Sequence, residues 1–229
     1  METAINSENT VFTNTMAVEE IDRLQILRYA GMAGRTDDEA TLALIDKCYP
    51  LMLNALKFKS CYLETEVKIT GTHVSLGCME VESKNLSAVL RGCEKAILVA
   101  ATAGIEADML VKRAEVTSKA EALILNSVAI AGIEKYMGML NEYFKGMYSG
   151  YELRPRYSPG YGDVPLELQR ELLAVLDTKR KIGVALSDSL LMTPTKSVSA
   201  VIGVGSEGCM HIDKDCDICS KKDCEYRLS

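Results

Sequence analysis

Apolar residues recur at helical spacing from Val18 through Ile21, Leu24 and Leu27, predicting a first helix stopped by Gly31 and Gly34. Thr36-Asp-Asp-Glu39 has the form of a capping box, in which a hydroxyl and a carboxylate satisfy the free amides of a helix start. The helix it opens turns Leu42, Ile45, Tyr49, Met52 and Leu56 inward. From Cys61 to Glu82 the period falls to two. Leu63, Thr65, Val67 and Ile69 alternate with Glu64, Glu66 and Lys68, broken at Gly71 and Gly77, which predicts two or three antiparallel strands. A helix over 83–93 leads into Lys95–Thr102, a continuous apolar run of the kind a strand buried on both faces shows. Gly104 opens the longest helical stretch, 105–148, divided near Thr117 and Ser118. Pro165 suits the first position of a helix reaching Leu176. Strands over 182–186 and 197–204 complete the sheet. Strands and helices do not alternate regularly, so the expected class is α+β: a mixed, mainly antiparallel twisted sheet with long helices. The expected organisation is a disordered opening segment (1–16), one folded unit (17–205) and a short Cys-rich tail (206–229).

Composition narrows the function. With 229 residues, 48% of them hydrophobic, the chain can build one sizeable core. Its formal charge is -6 without a basic block, which argues against nucleic acid or an anionic membrane as a partner. No apolar run approaches the ~20 residues of a membrane span. The first sixteen residues are polar, unlike a signal peptide, so the expected location is the cytoplasm. Eight cysteines in that setting are expected to be thiols or metal ligands rather than disulfides.

Four of them, Cys209, Cys216, Cys219 and Cys224, fall within sixteen residues, with Asp and Lys prominent between them. Thiolates so spaced suit a tetrahedral zinc clip or an iron–sulfur cluster, and spacing leaves both open. His211 is a possible substitute ligand. Cys48, Cys61, Cys78 and Cys93 sit in periodic elements and are expected to be small buried hydrophobes. Gly203-Val-Gly205-Ser-Glu-Gly208 has the spacing of a dinucleotide-binding turn, but a Cys-rich tail follows where the phosphate-binding helix belongs, so a flexible exit from the last strand is expected. Two histidines, one of them (His73) at a predicted hairpin turn, provide no hydrolytic machinery. Chemistry here depends on a bound cofactor that the protein positions.

The stretch Arg154-Pro-Arg-Tyr-Ser-Pro-Gly-Tyr161 is stiffened by two prolines and eased at Gly160, so neither helix nor strand runs through it. It presents Arg156 and Tyr161 a few residues apart, a pair suited to a ligand with a carboxylate and a flat ring.

These residues resemble a known family. Arg156-Tyr-Ser-Pro-Gly160-Tyr161 is similar to the Arg-x-x-x-Gly-Tyr loop by which the activation domain of cobalamin-dependent methionine synthase holds S-adenosylmethionine. Leu186-Ser-Asp-Ser-Leu-Leu-Met192-x-Pro194-x-x-Ser197-Val-Ser199 resembles a second run of that family. Thr102-Ala-Gly104-Ile-Glu106 and the segment from Ile21-Asp22 to Ala33-Gly34 resemble two weaker ones in the same order. The resemblance implies that Arg156 pairs with the carboxylate of the ligand's methionine part and that Ser158 offers backbone groups beside it. Gly160 would admit the chain's close passage, Tyr161 would flank the ligand, and Asp22 would sit near its amino group. Two departures stand out: Ile202 replaces a family Tyr, and Gly162-Asp-Val-Pro165 stands where the family has Cys-Pro.

The family's long enzymes carry a cobalamin-binding domain in the same chain, whose Asp-x-His-x-x-Gly loop is absent here. The resemblance therefore implies a stand-alone activation subunit, a methyltransferase component. Its partners would be a cobalamin-binding methionine synthase chain and a flavodoxin-like or ferredoxin-like electron donor, and its reaction the reductive methylation of cob(II)alamin with S-adenosylmethionine. Two other readings remain: a non-enzymatic accessory that docks to a corrinoid protein, and an iron–sulfur electron carrier to such proteins.

Overall fold

The computed structural model describes residues 10–33 and 38–206. Gly34, Thr36, His211 and the four tail cysteines lie outside the described residues.

The elements run β1 (Phe12–Asn14), α1 (Arg23–Tyr29), α2 (Glu39–Ala55), β2 (Lys59–Thr70), β3 (His73–Leu76), β4 (Met79–Glu82), α3 (Lys84–Val89), β5 (Cys93–Thr102), α4 (Ile105–Thr117), α5 (Lys119–Met147), β6 (Tyr151–Leu153), α6 (Leu168–Val175), α7 (Thr178–Lys181), β7 (Ala185–Leu186), β8 (Met192–Thr193) and β9 (Ser197–Ser206). The main sheet has the order β4-β3-β2-β5-β9-β6, with β1 added against β2, and every pairing in it is antiparallel. The α+β class expected from the sequence is the class observed.

The pleat sorts side chains to two cores, because successive strand residues face opposite sides. On β5, Ile97, Val99 and Ala101 face a core built with α1, α2, α4 and α5, while Ala96, Leu98 and Ala100 face a second core built with α3 and α6. The apolar run at 95–102 is thus the doubly covered central strand, between β2 and β9. Tyr136 and Phe144 of α5 are fully buried in the first core. Each such side chain contributes roughly 1.5–3 kcal/mol of transfer free energy.

The long helical stretch divides at Ser118. Its hydroxyl accepts from the Glu121 amide and starts α5 just after α4 closes at Thr117. Asp108, in the first turn of α4, accepts from both the amide and the hydroxyl of Thr195 at 2.6 Å, which fixes where β9 begins.

Several expectations are corrected. The opening segment contributes a strand, because residues 12–14 add to β2 from Ser60 to Tyr62. The first helix begins at Arg23 rather than Val18, with Ile26 and Leu27 inward and Leu24 exposed. It closes through bonds from the Gly31 and Met32 amides to the Arg28 and Leu27 carbonyls. Asp38 occupies the N-cap of α2, without a side-chain capping bond. The helix expected over 83–93 ends at Val89, and that after Pro165 begins at Leu168. The strand expected over 182–186 shrinks to β7, which pairs with β8 and leaves the main sheet to be closed by β6. Cys48, Cys61 and Cys93 are buried as expected, but Cys78 is exposed beside the β3–β4 turn.

Gly203 and Gly205 lie inside β9 rather than in a flexible exit. A Cβ on Gly203 would stand 2.7 Å from Leu90 Cδ2, 2.8 Å from Cys93 Sγ and 2.9 Å from Arg154 Cγ, so the glycine serves close packing.

Candidate functional site

The segment after β6 remains beside β9 but cannot continue as a strand, because Pro155 has no amide to donate. The Arg154 amide donates to the Gly203 carbonyl at 2.8 Å, and two residues beyond Pro155 the backbone of Tyr157 exchanges both bonds with Val201 at 2.9 and 2.8 Å. Alternation about Tyr157 then decides the site. Tyr157 is buried in the second core, so its neighbours Arg156 and Ser158 face the other way, toward α5. There they line a cavity of about 250 Å³ with Glu134 of α5, Tyr161 and Val198 of β9. Of the two arginines flanking Pro155, Arg156 reaches this cavity. Arg154 is instead packed in the fold, with Nη2 3.4 Å from the Arg91 carbonyl.

A tight turn presents Tyr161. The Gly160 amide donates to the Val164 carbonyl, that of Tyr161 to Ser158, and that of Val164 to Tyr161, at 3.0 to 3.1 Å. Gly160 takes φ 83°, which a side chain disfavours, and a Cβ there would press to 3.1 Å on Leu166. At Gly162, φ 58°, a Cβ would fall 2.3 Å from Tyr157 Oη. The Tyr161 ring stands edge-on to Tyr157, centroids 5.4 Å apart, and is itself 41% exposed.

Arg156 Nη2 lies 3.1 Å from Glu134 Oε2, and the two side chains are 27% and 41% exposed. Water screens a pair so placed, which limits its worth to roughly 0–1 kcal/mol. A ligand bearing both signs can therefore take up the two charges separately at small cost.

Sequence reasoning missed Glu134, which is one more charged position on the open face of a long helix and belongs to no spacing motif. Asp22, expected at the site, is instead the N-cap of α1, accepting from the Leu24 amide at 2.9 Å, and it does not line the cavity. Gly160 shapes the turn without lining the cavity. Ile202 is fully buried in the first core, about 13 Å along β9 from Val198, so the departure there leaves the cavity wall untouched. Thr102, Gly104 and Glu106 line a different cavity of about 390 Å³, with Lys57, Lys59 and Ile182. Among the described residues no group of three or more His, Cys, Asp or Glu side chains is placed to hold a metal.

The chain thus combines an antiparallel sheet covered by long helices with a proline-bounded loop over a cavity of paired charges. Residues 136–211, about a third of the chain, match the family described as vitamin B12 dependent methionine synthase, activation domain. Arg156, Ser158, Tyr161 and Val198 fall inside that span, and Glu134 two residues before it. Among solved structures the chain is similar to the MetH reactivation domain bound to AdoHcy, with a TM-score of 0.69 and 16% identity, covering 88% of this chain and 80% of that one. No curated protein matches. The chain thus resembles the activation domain of methionine synthase, over that span in sequence and over most of its length in fold.

Proposed function

We propose that the folded unit, from β1 through β9, acts as an activation domain that binds S-adenosylmethionine at the Arg156–Glu134 cavity and supports reductive methylation of a cobalamin held by a methionine synthase partner. The observation that carries the proposal is the opposed pair itself: a guanidinium on the loop that resembles the family's ligand loop and a carboxylate on α5, 3.1 Å apart and partly exposed. Arg156 is suited to the forked grip of the ligand's carboxylate. Glu134, rather than Asp22, is placed to take its ammonium group. Pockets for drug-sized ligands run to roughly 300–1,000 Å³. At about 250 Å³ this one takes the amino-acid end, leaving the adenosine against Tyr161 and open to a partner.

A bound corrinoid would supply the cobalt that accepts one electron from a flavodoxin-like or ferredoxin-like donor and then the methyl group. The residues named here bind and orient the methyl donor. Similarity to a reactivation domain solved with AdoHcy supports this choice of ligand. Calorimetric titration tests it: S-adenosylmethionine and S-adenosylhomocysteine should both bind the wild type, and Arg156→Ala should weaken each by tenfold or more, the loss of a charge-assisted pair. No heat with either compound, with or without a cobalamin-bearing partner, overturns the proposal.

We also infer a metal site in the tail, on Cys209, Cys216, Cys219 and Cys224, from their spacing. Anaerobic purification followed by metal analysis and a visible spectrum separates the alternatives. Zinc in a colourless protein marks a structural clip, iron with a brown absorption marks a cluster, and neither metal removes the site.

A further inference from the structure

The departure Gly162-Asp-Val-Pro165 joins the ligand loop to a distant helix. Ser83 caps α3, accepting from the Leu86 amide at 3.0 Å, but one hydroxyl leaves the amides of Lys84 and Asn85 unanswered. Asp163, some eighty residues later, answers them. Its Oδ2 accepts from the Lys84 amide at 2.8 Å, its carboxylate from the Asn85 amide at 3.2 Å, and its Oδ1 from the Ser83 hydroxyl. Directly before it, Gly162 passes so close to Tyr157 and Asn85 that a methyl group would not fit. Directly after it, Val164 is buried in the second core and closes the turn that carries Tyr161. The far end of the loop is held by the Tyr157–Val201 bridge. The arm bearing Tyr161 is therefore fastened at two points, to β9 by backbone and to α3 by one carboxylate.

We infer that Asp163 is a positioning residue, whose carboxylate on the amino end of α3 holds Tyr161 against the cavity and so sets the affinity for the ligand without touching it. Partial burial by itself would raise its pKa, but the bonds from Ser83, Lys84 and Asn85 outweigh this and hold the carboxyl below its ordinary value, consistent with an anion engaged in the folded state. The inference rests on the proposed ligand but makes a separate claim about the free protein.

The test compares wild type, Asp163→Ala, Asp163→Asn and Ser118→Ala. The last removes a capping hydroxyl of the same kind at α5, remote from the loop in sequence, and controls for general loss of stability. S-adenosylhomocysteine affinity should fall about tenfold in Asp163→Ala, through the cost of ordering a freed arm on binding. It should fall less in Asp163→Asn, which keeps one acceptor oxygen, and should not change in Ser118→Ala. Hydrogen exchange of the free proteins should quicken at the Gly160, Tyr161 and Val164 amides in Asp163→Ala, not in Ser118→Ala. Equal affinity in wild type and Asp163→Ala overturns the inference. If the wild type binds no ligand, the proposed function fails while exchange still judges the arm, and unchanged rates at those three amides overturn the inference by themselves.

Discussion

Arg156 and Glu134 show how differently two halves of one pair are written in a sequence. Arg156 announces itself because prolines and a glycine surround it, and such residues fix a backbone that solvated surface does not need. Glu134 meets Arg156 only when α5 is laid across the sheet, and no local pattern carries that. Asp22 is ambiguous for a related reason: an acidic residue before an apolar run satisfies a helix start as readily as a ligand, and here it caps α1. The glycines of β9 also mislead at this scale, since they suggest a flexible exit from the strand but answer to close packing against Leu90, Cys93 and Arg154. Gly203→Ala should cost about 1–3 kcal/mol by overpacking, seen as a lower midpoint in chemical denaturation at unchanged slope. The thiols give a second prediction. Burial pushes Cys61 up to about 12 and also raises Cys48, whereas Cys78 is exposed. Iodoacetamide at pH 8 should modify Cys78 in the native protein and leave Cys61 unmodified until denaturant is added, as peptide mapping by mass spectrometry would record. Prompt native labelling of Cys61 would contradict the packing of the second core.

Elements with strong local signals were legible. Strands β2, β3 and β4, the central run of β5 and the division between α4 and α5 all follow from periodicity and from Ser118. What escaped were short pieces whose existence depends on neighbours. β6 is three residues long and β1 three more, and both form because a longer strand offers an open edge. β7 went to β8 instead of the main sheet for the same reason, since two residues carry no preference of their own. Helix α3 is short enough that its amino end needs both Ser83 and Asp163, which links stability to pH. The folded pKa of Asp163 lies below the unfolded value, near 3.9 for an ordinary Asp, so its contribution is complete at neutral pH. It is lost as pH falls through the folded value. The melting temperature of wild type should exceed that of Asp163→Ala at pH 7 and the gap should close at acid pH; a gap independent of pH would show that the anion does not matter.

Taken whole, the molecule is a sheet between two cores, with the cavity where the edge loop, β9 and the middle of α5 meet. Contrary to the expectation that no run is long enough for a membrane span, helix α5 is long and apolar enough to cross a bilayer, yet 61% of its apolar 18-residue window is buried in the fold, which accounts for its composition. The second core and Tyr157 hold the loop from beneath, so Arg156 and Ser158 are left facing α5. That arrangement follows from alternation along one irregular strand, and the proposed function depends on it. The most direct measurement is a calorimetric titration of S-adenosylhomocysteine into wild type, Arg156→Ala and Glu134→Gln. Binding in the wild type that weakens about tenfold in each variant, without change in melting temperature beyond the few degrees that ~1 kcal/mol represents, is the expected result. Undiminished affinity in both variants would place the ligand elsewhere and contradict the account.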